Sequence, residues 1–269
     1  MALSITTAFV QQYTAVVTLL YQEKGSMLRG SVREETVNAK NYFFERLAPT
    51  AAIKRTVRHS STPLVNSLHS RRMVTMSDYE WADLVDEQDK IRILITPESS
   101  YSRNAAMGLG RAWDEAVIAA FDADAKAGED GSTTVTFTSE AAADLDFTAA
   151  AITTANVLNI KRKLDEKNVP PEDRHILVSP AGMEQLLKQT TTPNAASADY
   201  NTIKALVTGD LDTWVGFKWH ITTLLTSATG NVRTCFAWHR DSMGIAVGQN
   251  ITGKIDPRVD LSYATQVYA

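Results

Sequence analysis

The sequence is nearly without cysteine. Cys235 stands alone among 269 residues, so no internal disulfide can staple the fold. A reducing compartment follows from the same scarcity. The thiol falls in the alternating run Val232-Arg-Thr-Cys-Phe-Ala-Trp238 and reads as a small buried hydrophobe. Long apolar runs are also missing. None approaches the roughly 18 residues of a membrane span. The segment Ser4 to Tyr21 lacks a basic leader and is broken by Gln11 and Gln12, so it is not a secretory signal. A soluble protein with no membrane partner is expected. An excess of positive charge is absent too. The formal net charge of −4 argues against a protein held on nucleic acid by a basic surface. No pair among His59, His69, His175, His220 and His239 has zinc-ligand spacing, and Cys235-x-x-x-His239 lacks a second pair. With no Walker A loop either, no metal and no cofactor are expected.

What is present is an ordinary soluble composition, 44% hydrophobic and 22% charged, in an unusual order. The most informative feature is a long amphipathic helix predicted from Ser100 to about Lys126, a rod about 40 Å long. Ala106, Leu109, Trp113, Ala116, Val117, Ala120 and Phe121 mark its inward face, with Arg111, Asp114, Glu115, Asp122 and Lys126 facing elsewhere. An amphipathic helix is also predicted between Ser4 and Tyr21, and β character within Leu28 to Leu47.

Between them lies a polar arm. Lys54 to Pro63 and Ser70 to Ser77 read as the two strands of a long hairpin turned at Pro63 to His69. Thin hairpins need a third strand or a helix for stability in water, so another chain is expected to complete it; a hairpin lying on its own domain is the alternative. The acidic stretch Tyr79 to Lys90 is predicted as a short helix or turn, and Ile91 to Ile95 as a strand. Beyond the spine, the patterns predict a strand at Thr133 to Phe137. A helix follows at Thr154 to Lys167, with Val157, Leu158, Ile160 and Leu164 inward. Then come a strand at Arg174 to Ser179, a Ser179-Pro180 helix start running to Gln189, a loop at 190–198 and a short helix at Tyr200 to Val207. Phe217, Trp219 and Ile221 share one face of a strand whose expected neighbour is Val232 to Trp238. Ser242 to Val247 reads as a short helix, and the last two runs, Ile251 to Asp256 and Leu261 to Tyr268, as strands.

Three patterns invite a chemical reading. Arg240-Asp241-Ser242-Met243-Gly244 resembles the serine-protease nucleophile motif, and His59 and Asp83 precede it in the matching order. But Arg240 replaces a glycine, and Asp241 or Ser242 capping the next helix explains the run equally simply. Gly108-Leu-Gly110 lacks the third glycine of a dinucleotide loop and lies inside a helix; close packing of another backbone on the spine is the better account. The arm's charges are more useful. Arg55, Arg58, Arg71 and Arg72 are placed far out on the hairpin, while Glu80, Asp83, Asp86 and Glu87 sit at its base. Between neighbouring copies the two sets could meet, because Arg pairs well with carboxylates. A solvated face is the alternative.

The whole order is similar to that of tailed-bacteriophage major capsid proteins, whose fold also occurs in herpesvirus capsid floors. The resemblance is carried by Lys24-Gly-Ser-Met-Leu-Arg29, the arm with Arg71-Arg72, Ser100-Tyr-Ser-Arg-Asn-Ala-Ala-Met107 and Arg111-Ala-Trp-Asp-Glu115. Leu164 to Pro170, Asp173 to Pro180 and Gly209 to Phe217 continue it. It implies an α+β, tailed-phage/herpesvirus-type capsid fold. The implied parts are an N-terminal arm (1–48), an extended β-hairpin loop (49–95), a peripheral domain with the spine (96–139), an axial domain (140–250) and C-terminal strands returning to the peripheral domain (251–269). It implies no catalysis, and self-assembly into hexamers and pentamers of an icosahedral virion shell, built in the host cytoplasm around double-stranded DNA. Portal and possible decoration proteins would be partners. A separate scaffolding protein is expected because the chain starts almost directly in the N-terminal helix; a few residues beyond Ala269 are expected to be missing. Some relatives crosslink through a lysine in this loop; residues 55–76 contain none, so crosslinking is not expected. An encapsulin-like compartment with enzyme cargo, and a hydrolase using Ser242, are the competing readings.

Overall fold

The longest element, helix α1 (Pro97–Ala120), has 24 residues and spans about 36 Å. It is seen in a computed structural model that describes residues 25–59, 61–86, 97–137, 152–190, 212–225, 227–229 and 232–269. The expected elements at Ser4 to Tyr21, Ile91 to Ile95, 191–198 and Tyr200 to Val207 lie outside the described residues. The described buried residues of α1 are Ala105, Met107, Gly110, Asp114, Val117 and Ile118, followed by Phe121 just past its end. Val117 and Phe121 are buried as expected, but elsewhere the stripe runs through Met107, Gly110 and Asp114, one position later than the expected Ala106, Leu109 and Trp113. Ala106 and Ala120 are exposed, and Asp114, expected outside, is among the most buried side chains. The helix also ends earlier than Lys126. Phe121 N–H closes on the Ile118 carbonyl at 3.2 Å, a 3₁₀-type stop, and the next residues join a sheet.

The central sheet has the order β12 (Phe236–His239), β7 (Arg174–Val178), β9 (Phe217–Ile221), β8 (Thr213–Trp214). All five residues of β7 are buried, as befits a strand covered on both faces. Its alternation divides the molecule into layers. Ile176 and Val178 point with Phe217 toward helices α2 (Thr154–Glu166) and α3 (Pro180–Thr190), meeting Val157, Met183 and Leu186. Leu177 points with Trp238 the opposite way, toward Val117, Ile118 and Phe121 of the spine and toward Leu28 and Val32. Helix pair, sheet and spine thus form three layers around two apolar clusters. Thr153 caps α2 by accepting from Asn156 N–H at 3.1 Å, and Ser179 caps α3 by accepting from Gly182 N–H at 3.2 Å. Leu158 is a correction: it is 52% exposed. Val232 to Trp238 is another. Its second half, β12, pairs with β7, which separates it from β9. Its first half, β11 (Val232–Arg233), pairs with β10 (Ser227–Thr229).

A second sheet has the order β2 (Asn41–Leu47), β3 (His69–Thr75), β5 (Ala125–Ala127), β6 (Thr133–Val135). The hairpin therefore exists, but its outgoing strand is β2 rather than Lys54 to Pro63. β2 brings Tyr42, Phe43 and Phe44, and residues 54–63 bring no comparable apolar weight. Phe44 meets the Tyr42 ring edge-on at 5.0 Å and lies under Arg33 at 5.0 Å. Residues 48–59 and 61–68 connect the strands without helix or strand, closed at the base by Ala48 N–H to Leu68 O at 2.9 Å.

The third sheet joins β14 (Lys254–Arg258), β15 (Ala264–Tyr268) and β4 (Ala82–Val85), with β15 and β4 packed on α1. A strand therefore replaces the helix or turn expected in the acidic stretch. Val85 is buried, and Trp81 and Ala269 exchange backbone hydrogen bonds of 2.8 and 2.9 Å. The helix expected at Ser242 to Val247 is also corrected: β13 (Gly244–Val247) runs parallel to β1 (Arg33–Thr36), preceded only by a 3₁₀ turn at Arg240–Ser242.

Candidate functional site

Residues 48–68 form an arm with no buried residue among those described. Leu64 is 94% exposed and Leu68 72%, with Ile53 and Val57 also open. Among the described residues Arg55 donates to the carbonyl of Val57, at 3.1 Å, and Arg58 has no partner. Arg71 and Arg72 do not lie far out, as expected; they sit inside β3, opposite Glu45 and Phe44 in register. Arg71 lies 3.4 Å from Glu45 and 5.5 Å from the Phe43 ring. Both partners of that ion pair are substantially open to solvent, so it adds little stability.

The acidic candidates belong to a different sheet. Glu80 accepts from the Tyr268 hydroxyl at 3.5 Å, Asp83 from its neighbour Leu84 N–H at 2.9 Å, and Asp86 is exposed just after β4. Glu87 lies outside the described residues. The charge separation along this stretch is complete. Residues 46–77 carry Arg46, Lys54, Arg55, Arg58, Arg71 and Arg72 and no acid. Residues 78–89 carry Asp78, Glu80, Asp83, Asp86, Glu87 and Asp89 and neither Lys nor Arg.

Sequence reasoning missed the anchor beneath the arm. Residues 25–37 form a strap across the spine. The Asp114 carboxylate accepts from the Ser26 hydroxyl, from Met27 N–H at 2.8 Å and from Leu28 N–H at 3.2 Å. One turn earlier, Gly110 admits the strap's backbone: a Cβ there would meet Gly25 C at 2.7 Å and Cα at 2.8 Å. Farther along, Trp238 Nε1–H donates to Ser31 O at 2.9 Å, and Arg33 and Val37 N–H bond to Met243 and Val247 carbonyls at 3.0 Å. The signal was available: Gly110 and Asp114 are spaced i, i+4 within a stripe that continues to Val117 and Phe121.

The hydrolase constellation does not assemble. The Ser242 hydroxyl donates to His239 O at 2.6 Å, His59 is exposed on the arm and Asp83 is exposed on β4. His239, not Asp241 or Ser242, caps the turn, its Nδ1 accepting from Asp241 N–H at 3.2 Å. Of the two spine glycines, Gly110 serves close packing of the Gly25 backbone, whereas Gly108 has room for a Cβ at ordinary contact distance, 3.9 Å, from the Trp81 ring. Cys235 packs against both apolar clusters, and burial pushes its thiol above the ordinary range. Among the described residues no group of three or more His, Cys, Asp or Glu side chains could hold a metal ion, and no helix is long and apolar enough to cross a membrane.

A layered α+β body on a spine helix, with an arm that buries none of its described residues, has the architecture of the tailed-phage capsid fold. The family described as phage capsid protein matches residues 5–269, and the chain belongs to that family. Solved structures with the same fold include the capsid of the cyanophage P-SCSP1u, at a TM-score of 0.63 and 15% identity over 91% of this chain and 83% of that one. A Mycobacterium phage Adephagia structure matches at 0.62 and 16% over 93% and 83%. The asymmetric unit of the bacteriophage PhiM1 mature capsid matches at 0.59 and 12% over 91% and 82%. No curated protein matches. The protein is thus a structural component of a phage capsid and not an enzyme.

Proposed function

We propose that copies of this chain assemble as hexamers and pentamers into an icosahedral shell around double-stranded DNA, in the host cytoplasm. The observation that carries this reading is the arm: residues 48–68 expose Ile53, Val57, Leu64 and Leu68, and none of their described residues is buried. Apolar side chains gathered on one projecting loop suit burial against a neighbour. The sign change between residues 46–77 and 78–89 supplies the polarity of that contact, basic arm of one copy to acidic β4 region of the next. In this reading 1–48 is an N-terminal arm, 49–95 the extended loop, 96–139 the peripheral domain, 140–250 the axial domain and 251–269 the returning strands. A scaffolding protein and a portal complete the partner set, with room for a decoration protein. The DNA is enclosed without base readout, which suits a chain of net charge −4.

Negative-stain imaging and size-exclusion chromatography of the purified chain, at low salt and at about 1 M salt, test the proposal. Rings, sheets or shells of megadalton mass that weaken in high salt are the expected result. A monomer at every concentration and salt, also after addition of the phage's own scaffolding protein, would overturn it.

A further inference from the structure

We propose that His175 and His220 form an acid-sensitive latch, which holds the strap against the central sheet while the pair is uncharged and releases it on further protonation. This inference is independent of how copies assemble.

The geometry is specific. His175 Nδ1 and His220 Nε2 are 2.9 Å apart, a separation that accommodates one hydrogen between two nitrogens. If both rings were imidazolium, each nitrogen would carry its own hydrogen and the two N–H groups would face each other. His175 is only 4% exposed, and its second nitrogen, Nε2, has no hydrogen-bond partner among the described residues. A proton added there would be buried without an acceptor. The two rings are stacked 5.2 Å apart, and Trp238 lies 5.5 Å from His175 and 6.2 Å from His220. Trp238 is itself the tie to the strap, through its bond to Ser31 O, and it packs on Phe121 of the spine at 4.7 Å. Charging the pair therefore acts at the seam where sheet, spine and strap meet.

The surrounding charges reinforce this. Lys218 on β9 and Arg240 in the 3₁₀ turn oppose a positive His175, while Asp173 before β7 favours it but is engaged by Lys218 at 2.7 Å. Asp114 on α1 and Asp212 before β8 favour a charged His220, which Lys218 opposes. Burial outweighs them: it lowers His220 and, with the repulsion of His220 and Lys218, takes His175 down to about 4. The unfolded chain takes up these protons near pH 6.5. Between that pH and about 4 the unfolded state binds more protons, so the stability present above pH 6.5 is lost as pH falls.

The test compares the full chain with the double variant His175→Phe, His220→Gln, which keeps a flat ring and a polar partner but cannot titrate. Urea unfolding between pH 7 and 5 should give a wild-type unfolding constant that rises up to about tenfold per pH unit more than the variant's for each group titrating in this window. Deuterium exchange at the imidazole C2 positions, read by mass spectrometry on the wild type alone, should show His175 neutral at pH 5.5 and His220 titrating below the ordinary histidine range. Amide protection at Met27 and Leu28 should fall below pH 5 in the wild type. Equal pH dependence of wild type and variant, or a His175 imidazole that titrates above pH 6, would overturn the proposal; the exchange measurement decides if the variant does not fold.

Discussion

Two glycines two positions apart on the spine should respond to the same substitution with opposite signs. In an open helix interior, glycine to alanine stabilises by about 0.5–1 kcal/mol, because the backbone has less freedom to lose. Gly108 meets that condition: an added Cβ would lie 3.9 Å from Trp81 Cδ1, an ordinary contact. Gly110 does not. Its Cβ would stand 2.7 Å from Gly25 C, 2.8 Å from Gly25 Cα and 2.9 Å from Ser26 N, all main-chain atoms that cannot rotate aside. The strap must lift by several tenths of an ångström. Overpacking of this kind costs about 1–3 kcal/mol. Lifting Ser26, Met27 and Leu28 also weakens three bonds to a buried carboxylate, each worth about 1.5–3 kcal/mol when charge-assisted. After the helix-propensity gain is subtracted, Gly110→Ala should lose about 2–4 kcal/mol. At roughly 2–4 °C per kcal/mol for a large domain, that is a drop in Tm on the order of 10 °C. Gly108→Ala should hold or gain about 2 °C by the same conversion. Calorimetry of the unassembled chain reads both. If Gly110→Ala melts at or above the wild-type temperature, the strap does not rest on Gly110 and the role given to Asp114 fails with it.

Elements whose signals are local were legible. Helix α3 announces itself by Ser179-Pro180, and Phe217, Trp219 and Ile221 alternate into the cluster they do join. Elements defined by a distant partner were not. Gly244 to Val247 is too short for periodicity to separate strand from helix, and its partner, Arg33 to Thr36, lies some 200 residues earlier in the chain. β4 was hidden by its charge, since only Val85 of its four residues is buried. Asp114 was misread because a carboxylate in a stripe usually marks the wet face. Here three donors from the strap satisfy it, and those donors belong to a turn with no periodic pattern. The arm failed differently. Residues 53–58 alternate apolar and polar side chains loosely, yet no strand of the described chain pairs with them. Alternation without a partner suits a contact made between copies, where the signs of the arm and of β4 also find their use.

Four further variants test these contacts. Arg174, only 2% exposed, holds Asp165 at 2.7 Å, the Val169 carbonyl at 2.5 Å and the Pro170 carbonyl at 2.8 Å. Arg174→Ala should destabilise by about 2–3 kcal/mol in urea unfolding, mostly through the two abandoned carbonyls, because Asp165 can return to water. Arg55→Glu with Arg58→Glu should leave Tm unchanged and raise the protein concentration needed for assembly, since among the described residues Arg55 binds its own arm. Arg71→Glu with Arg72→Glu should disturb the subunit as well, because both sit inside a paired strand. The arm's most exposed apolar side chain, Leu64, gives the cleanest separation of folding from assembly. Leu64→Ser removes a side chain that is 94% exposed, so unfolding of the isolated subunit should shift by no more than about 0.5 kcal/mol. Buried against a neighbour, the same leucine would contribute about 1.5–3 kcal/mol per copy. That corresponds to a roughly 10- to 100-fold rise in the assembly threshold, measurable by light scattering across a dilution series. A large loss of Tm would mean that the arm packs on its own subunit. An unchanged threshold would mean that Leu64 stays in water in the shell, and the arm would then have to make its contact through Ile53, Val57 or Leu68 alone.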